Sequence, residues 1–308
     1  MALKLGYLLP TREQIMDGLP EAAPLLSLAE RAERLGYDSI WVGDSLLARP
    51  RHEPLTLLAG VAGRTHRVQL GTAVLLPALR NPVILAHVVA TLDQVSAGRL
   101  ILGVGIGLNV PSVHAEFQAA GVPFERRVGR MLEGLRLCRA LWTGQSVNWD
   151  GRWQVEGGVL APTPYRAGGP PIWVGGNLQS SRRQVGRSFD GWLPITPNPE
   201  AWAEQWAEVA CIAREAGRDP ANLTGSMYLT LSLDDNADRA NERMNKFLEQ
   251  YYNQPSTVIR SWQANYAGPA EGATEWLAGY EKAGVHHVIL RFVGDHERHL
   301  ETLVAAAR

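Results

Sequence analysis

Residues able to do chemistry fall in four short stretches of this 308-residue chain, each directly after an apolar run. Asp44, Ser45, Arg49, Arg51 and His52 follow the first, Arg80 and Asn81 the second, Asn109 and His114 the third. In this set Ser45 can hydrogen-bond a ligand, Asn109 can orient an oxygen, and His52 is the nearest candidate acid or base. The fourth stretch, Gly175-Gly176-Asn177, leads into Ser180, Ser181, Arg182 and Arg183. Glycines, free backbone N–H groups and hydroxyls at a helix start suit a phosphate; a plain strand–turn–helix link with a solvated arginine pair is the alternative. Arg49, Arg51 and Arg80 can meet a cofactor phosphate or an anionic substrate, or simply be solvated. His87 reads as an ordinary helix residue, while His286 and His287 open a late strand. His296 and His299 lack a third ligand, so no metal site is expected.

Two motifs need separating from their look-alikes. The run GRLILGVGIGLNVP, Gly98–Pro111, places Gly103, Gly105 and Gly107 on alternate positions. A dinucleotide loop needs G-x-G-x-x-G opening a helix, but position 108 is Leu and Pro111 follows. The run reads instead as a buried strand whose glycines let a backbone or a flat ligand approach. Gly43-Asp44-Ser45-Leu46 spells GDSL, which resembles the nucleophile block of the GDSL esterases. That chemistry needs a D-x-x-H partner, and Asp295, His296 and His299 do not have that spacing.

The elements that must position these residues alternate from end to end. Strands are expected at Leu3–Leu9, Ser39–Gly43, Val68–Leu75, Arg99–Val104, Ile172–Gly175, Gly191–Ile195, Ser226–Ser232 and His287–Phe292. They are near-continuous apolar runs, the pattern of parallel strands buried on both faces. Between them, Leu25, Leu28, Ala29, Ala32 and Leu35 recur at helical spacing before Gly36. Asn81 can cap a helix that starts at Pro82 and stops at Gly98. Further helices are expected over Arg126–Trp142, Glu200–Ala216 and His296–Ala307. The phrases AERLGYDSIWV, ending at Val42, and YEKAGVHHVIL, ending at Leu290, repeat one helix–glycine–strand unit. Eight such units predict an α/β fold, a single-domain (β/α)8 TIM barrel over 1–308, with a doubly wound open sheet as the alternative. Three insertion segments exceed what a barrel requires. Gly107–Arg126 belongs to the catalytic rim. Gln145–Gly169 lies on the opposite side and holds a two-residue hairpin turn at Asp150-Gly151. Asn253–Gly272 offers Trp262 and Tyr266 as an apolar pocket wall, whereas Trp202 and Trp206 sit at helical spacing and read as core or interface.

A hydrophobic content of 45%, a charged content of 20% and a formal charge of −1 describe an ordinary globular chain. No basic footprint for nucleic acid or anionic lipid exists, so a small-molecule organic substrate is expected, with no nucleic-acid and no membrane partner. The opening MALKLGYLLP is short for a signal sequence, and no run reaches membrane-spanning length. Cys138 and Cys211 form neither a metal spacing nor a disulfide framework, which fits the cytoplasm.

Read together, the blocks resemble the bacterial luciferase-like superfamily of flavin- and F420-dependent oxidoreductases. The strongest is LGTAVLLPALRNPVILAHVVATLDQVSAGRLILGVGIG, Leu70–Gly107. GYDSIWVGDS, EFQAAGVPFERRVGRMLEGLRLCRALW and a glycine pair followed by DGWL come in the family's order. The resemblance implies a (β/α)8 barrel, often dimeric, hence a homodimer. It implies a cis non-proline peptide at Ala73–Val74 behind the cofactor ring, cofactor phosphate at Gly175 and Gly176 beside Asn177, and ring contacts at Asp44, Gly105 and Gly107. Many relatives carry His where Ser45 stands, the sugar-phosphate dehydrogenases Glu where Asn109 stands, and a phosphate-binding Lys near Asn198. Those departures leave the cofactor open between FMN, which is preferred, and coenzyme F420. With no dinucleotide domain, a separate flavin or F420 reductase is the expected supplier. The implied function is a monooxygenase using reduced FMN. F420-dependent hydride transfer without oxygen and a non-catalytic flavin-binding barrel are the alternatives.

Overall fold

The computed structural model describes residues 2–306, so the expected helix end at Ala307 lies outside the described residues. Strands β1 (Lys4–Leu8), β2 (Ser39–Val42), β3 (Gln69–Thr72) and β4 (Leu100–Val104) are followed by β5 (Val147–Asp150) and β6 (Gln154–Gly158). Then come β7 (Ile172–Gly175), β8 (Gly191–Leu193), β9 (Thr224–Leu233), β10 (Asn265–Gly268) and β11 (His287–Phe292). The order β9-β11-β1-β2-β3-β4-β7-β8 closes through a β8–β9 pairing, and every pairing in the ring is parallel. These are the eight expected strands, in a closed ring rather than an open sheet. Helices over Ala22–Leu35, Pro54–Arg64, Pro82–Val95, Arg127–Leu141, Gln179–Ser188, Pro199–Glu215, Ala270–Lys282 and His296–Ala306 surround it.

Local signals act where expected. Gly36 ends its helix in the left-handed region, and the Asn81 side chain caps Pro82–Val95 by accepting from the Val83 N–H at 2.9 Å.

Aromatic side chains fill the barrel interior. Trp41 and Trp173 lie inside with centroids 5.3 Å apart, among Leu8, Ile101, Leu193, Tyr228 and Ile289. A Cβ on Gly71 would stand 2.2 Å from Trp41, and one on Gly191 would stand 2.5 Å from Trp173. Those glycines exist to admit the two indoles, and the barrel is a packed core with its chemistry at the rim. His287 plugs the opposite end: its Nε2 lies 2.6 Å from the Ser39 hydroxyl, which accepts from the Trp41 indole N–H at 2.6 Å.

Three expectations need correction. The third strand stops at Thr72 instead of Leu75, because Val74 turns to seat between Gly105 and Gly175; the Ala73–Val74 peptide is cis, and Leu75 resumes the ladder as a single bridge to Val104. The hairpin turn is a three-residue loop, since Asp150 pairs with Gln154 across Gly151, Arg152 and Trp153. Glu133 accepts the Arg152 N–H at 2.7 Å, and that tether to the neighbouring helix holds the wider loop. Within Asn253–Gly272, the unexpected β10 pairs with the second half of β9, which runs on past its β8 partner. The hairpin segment does sit at the expected end, where the Arg166 guanidinium donates to the Leu100 carbonyl at the start of β4. Among the described residues no helix is long and apolar enough to cross a membrane.

Candidate active site

The rim at the strand C-termini divides into two sectors. The first lies over β3, β4, β7 and β8, where Ala73, Val74, Ile106, Gly175 and Ile195 are half-buried and Gly176 is exposed. Its floor is set by the glycine run. A Cβ on Gly103 would stand 1.9 Å from the Thr72 carbonyl oxygen, and Thr72 Oγ1 donates to the Gly103 carbonyl at 2.7 Å. A Cβ on Gly105 would stand 2.5 Å from Val74 Cγ2, and one on Gly175 3.0 Å from Val74 Cγ1. Gly105 and Gly175 therefore seat the Val74 isopropyl group; Gly107 faces Val113 and Phe117. The expected open slot for a flat ring against Gly105 and Gly107 is filled by these side chains. The face left for a ligand is Val74 itself, held between two strands.

At the β7 end, Gly176 has φ +113°, a left-handed conformation that L side chains rarely adopt. The helix starting at Gln179 has no side-chain cap, and Gln179 and Ser180 are exposed. Uncapped first-turn N–H groups beside an exposed glycine and two serine hydroxyls fit a phosphate. Asn177 faces elsewhere: its amide group brackets Ile195, accepting from the Ile195 N–H at 3.1 Å and donating to the Ile195 carbonyl. Asn177 thus braces the end of β8. Arg182 is engaged with Glu208 at 2.6 Å. Asn198 caps the helix Pro199–Glu215 through the Ala201 N–H at 2.8 Å.

The residues after β2 are held by one another. Asp44, 4% exposed, accepts from the Leu76 N–H at 2.8 Å and pairs with Arg80 at 2.6 Å, so it ties the β2 and β3 loops together. Arg80 also meets Glu53 at 3.0 Å and is not free for a ligand. The Ser45 hydroxyl donates to Glu116 at 2.8 Å, and the same oxygen accepts the Leu47 and Ala48 N–H groups. Among the described residues no histidine engages Ser45, so the hydrolase arrangement is not assembled there. His52 is half-buried, with Nε2 2.9 Å from the Pro20 carbonyl. Asn109 is exposed and paired with His114 at 2.7 Å. His114 stacks on Phe124 at 3.8 Å beside a surface cleft of ≈ 390 Å³. Val74, Gly105 and Gly175 are thus in contact beside Ala73, and Asp44 reaches them through Leu76; His52 and Asn109 are engaged by Pro20 and His114 instead.

The second sector, over β9, β11, β1 and β2, joins Arg49, Arg51 and Trp262, which the sequence marks, to Arg12, Tyr251, Tyr252 and Arg291, which it does not. Arg291, on β11 and 5% exposed, lies 4.0 Å from the Tyr251 ring centroid, and Arg12 lies 4.3 Å from it. Arg51 donates to the Tyr251 hydroxyl at 3.1 Å and covers Gly43, whose Cβ would stand 2.1 Å from it. Arg49 lies 5.2 Å from Tyr252, and Trp262 packs on that tyrosine at 5.8 Å. Burial alone would raise the Tyr251 phenol, but the guanidinium groups of Arg291 and Arg51 outweigh it and hold the phenol below its usual range. β11 reads as an apolar run, so the one charge it buries, Arg291, is masked by its neighbours. Tyr266, expected in this wall, instead donates to the Pro269 carbonyl at 2.8 Å and packs on Trp276. Trp202 is core: its indole N–H donates to the Ser226 carbonyl at 2.9 Å.

A rim with a Val74 shelf next to a glycine-rich turn and an uncapped helix start, on a closed ring of eight parallel strands, defines a (β/α)8 barrel with its open groups at the strand C-termini. Comparison with known proteins narrows it: the chain belongs to the luciferase-like monooxygenase family, whose model matches residues 3–308. It is an enzyme of the oxidoreductase class. It is 30% identical over 97% of its length to an F420-dependent glucose-6-phosphate dehydrogenase of Rhodococcus erythropolis, covering 95% of that protein. It is 31% identical over 70% of its length to a 5,10-methylenetetrahydromethanopterin reductase of Methanolobus tindarius, and the match spans 64% of that relative. Among solved structures, an F420-dependent secondary alcohol dehydrogenase in complex with an F420-acetone adduct superimposes with a TM-score of 0.84 at 21% identity, with 100% of both chains covered.

Proposed function

We propose that the protein is an F420-dependent oxidoreductase that moves a hydride between the deazaflavin and a small organic substrate without using oxygen. The observation that supports it most is the pairing of the Val74 shelf with the uncapped helix start beyond Gly176, in a chain 30% identical along nearly its full length to an F420-dependent relative. That likeness moves the preference from FMN, favoured by the sequence alone, to F420. When bound, the deazaflavin supplies a two-electron hydride carrier. The chain's residues hold and orient it: Val74 backs the ring, Gly176 lets the tail approach, and the Gln179 and Ser180 N–H groups with the Ser181 hydroxyl receive its phosphate. Asp44 and Glu116 set the loops that frame the shelf.

A separate reductase recharges the cofactor, since no dinucleotide-binding loop exists in the glycine run. The unpaired Cys138 and Cys211 support a cytoplasmic setting. A homodimer is supported by the row Val83, Ile84 and Val88 on the outer face of the helix Pro82–Val95, with Ile84 65% exposed. The deciding experiment compares anaerobic turnover with oxidised and reduced F420 against reduced FMN plus air, across small alcohols, aldehydes and ketones. Substrate-dependent F420 redox change without oxygen supports the proposal. Oxygen consumption coupled to reduced FMN alone refutes it.

A further inference from the structure

We propose that the second sector of the rim is a subsite for an oxyanion, a carboxylate or phosphate carried by the substrate. Arg12, Arg49, Arg51 and Arg291 gather around Tyr251, and the carboxylate facing them is Glu13, whose Oε1 stands 3.7 Å from Arg291 Nε, beyond hydrogen-bond reach. Buried like charges need counter-charges, and buried donors need acceptors. Here both needs are only partly met: one carboxylate faces four guanidinium groups, and among the described residues Arg291 Nε, Arg12 Nη1 and the Tyr228 hydroxyl are buried without a hydrogen-bond partner. Arg291 and Tyr228 are each only 5% exposed, so bulk solvent screens their charge and polarity little. An oxyanion answers both deficits at once, accepting from the guanidinium groups and the phenol. The flanking rings of Tyr228 and Tyr252 would pack on an apolar or aromatic portion of the same molecule.

The site is separate from the phosphate cradle. β11 and β1 lie across the ring from β7, four strands away from β1 in either direction, so one phosphate group does not serve both ends. Assigning the anion to the substrate rests on the proposed function; the anion site itself does not. Held by its charged end over β11 and β1, a substrate would lay its reacting carbon towards the Val74 shelf.

The test uses the full chain without cofactor, at fixed ionic strength in chloride. Thermal stabilisation is titrated with benzoate, inorganic phosphate and neutral benzamide, while F420 binding is followed separately by its own absorbance. At least one of the two anions is expected to stabilise saturably and benzamide not to. Arg291→Gln should weaken that response by about tenfold or more and Tyr228→Phe by about threefold, losses typical of a charge-assisted and a neutral hydrogen bond. The exposed Arg214→Gln should change nothing. If Arg291→Gln does not fold, Arg12→Gln and Tyr228→Phe decide. The inference is overturned by no response to either anion, by an equal response to benzamide, or by a response that survives the rim variants and disappears in Gly176→Val. It is also overturned by phenolate absorbance at neutral pH that Tyr251→Phe removes, because the tyrosine is then the counter-ion. Intact F420 binding with a failed anion response would leave the proposed function standing, and the reverse would leave the subsite standing.

Discussion

At the scale of single residues, the site rests on pairs whose members were visible in the sequence but whose pairing was not. Asp44 was legible as a rim residue, yet its partner Arg80 lies one whole βα unit later and looked like a free cation. Removing one member of such a buried pair typically costs about 3–5 kcal/mol, so Asp44→Ala should lower unfolding free energy in urea by that order, and an unchanged midpoint would contradict the pairing. Ser45 and Glu116 divide differently. Glu116 organises the loop through the Ser45 hydroxyl and the Leu47 and Ala48 N–H groups, so Glu116→Ala should destabilise by about 1–3 kcal/mol. Ser45→Ala leaves both N–H contacts in place and should change kcat by less than about threefold. A loss of several hundredfold would instead make the hydroxyl a reacting group. Single-residue chemistry was the least legible layer, because His52 and Asn109 were chosen by their place after a strand. Which way a side chain turns depends on loops such as the one carrying Pro20, and no periodicity encodes that.

Elements were far more legible. Parallel strands buried on both faces leave unbroken apolar runs, and helix caps use a small set of residues, so all eight barrel strands and the Asn81 cap could be read directly. The misses share a cause, which is that a contact from outside the segment decided its shape. β3 ends early because Val74 is seated between Gly105 and Gly175, and β10 forms because β9 outruns β8. Glycine substitutions separate these roles. Gly105→Ala places a methyl group 2.5 Å from Val74 Cγ2, so it should cost about 1–3 kcal/mol and displace the shelf, weakening F420 binding at least about tenfold. Gly63→Ala, in the helix Pro54–Arg64 with nothing within 4 Å, should stabilise the protein by about 0.5–1 kcal/mol and leave binding alone. Equal effects from the two would show that the glycine run has no special seating role.

At the scale of the molecule, a buried histidine, His287, and a half-buried one, His296, at opposite ends of the barrel make stability depend on pH. Burial, before any charge effect, holds His287 and His296 at about 3, against an ordinary 6.5. Both stay neutral in the folded chain while the unfolded chain protonates. Stability is therefore full above about pH 6.5 and falls as pH drops towards 3, by up to about 1.4 kcal/mol per pH unit for each histidine. Urea midpoints measured from pH 7 to pH 5 should fall accordingly, with a shallower slope in His287→Gln; a flat profile would contradict it. The proposed homodimer was expected from family resemblance alone, because an exposed apolar row on one helix face is not marked in the sequence. Ile84→Glu should convert a dimer to a monomer in light scattering without unfolding it. The β3–β4–β7–β8 sector is proposed to cradle the deazaflavin, and a fluorescence titration with F420 tests this. One F420 should bind per chain, with affinity lost in Gly176→Val and kept in Arg291→Gln; affinity that survives Gly176→Val but is lost in Arg291→Gln would put the cofactor on the other side of the barrel.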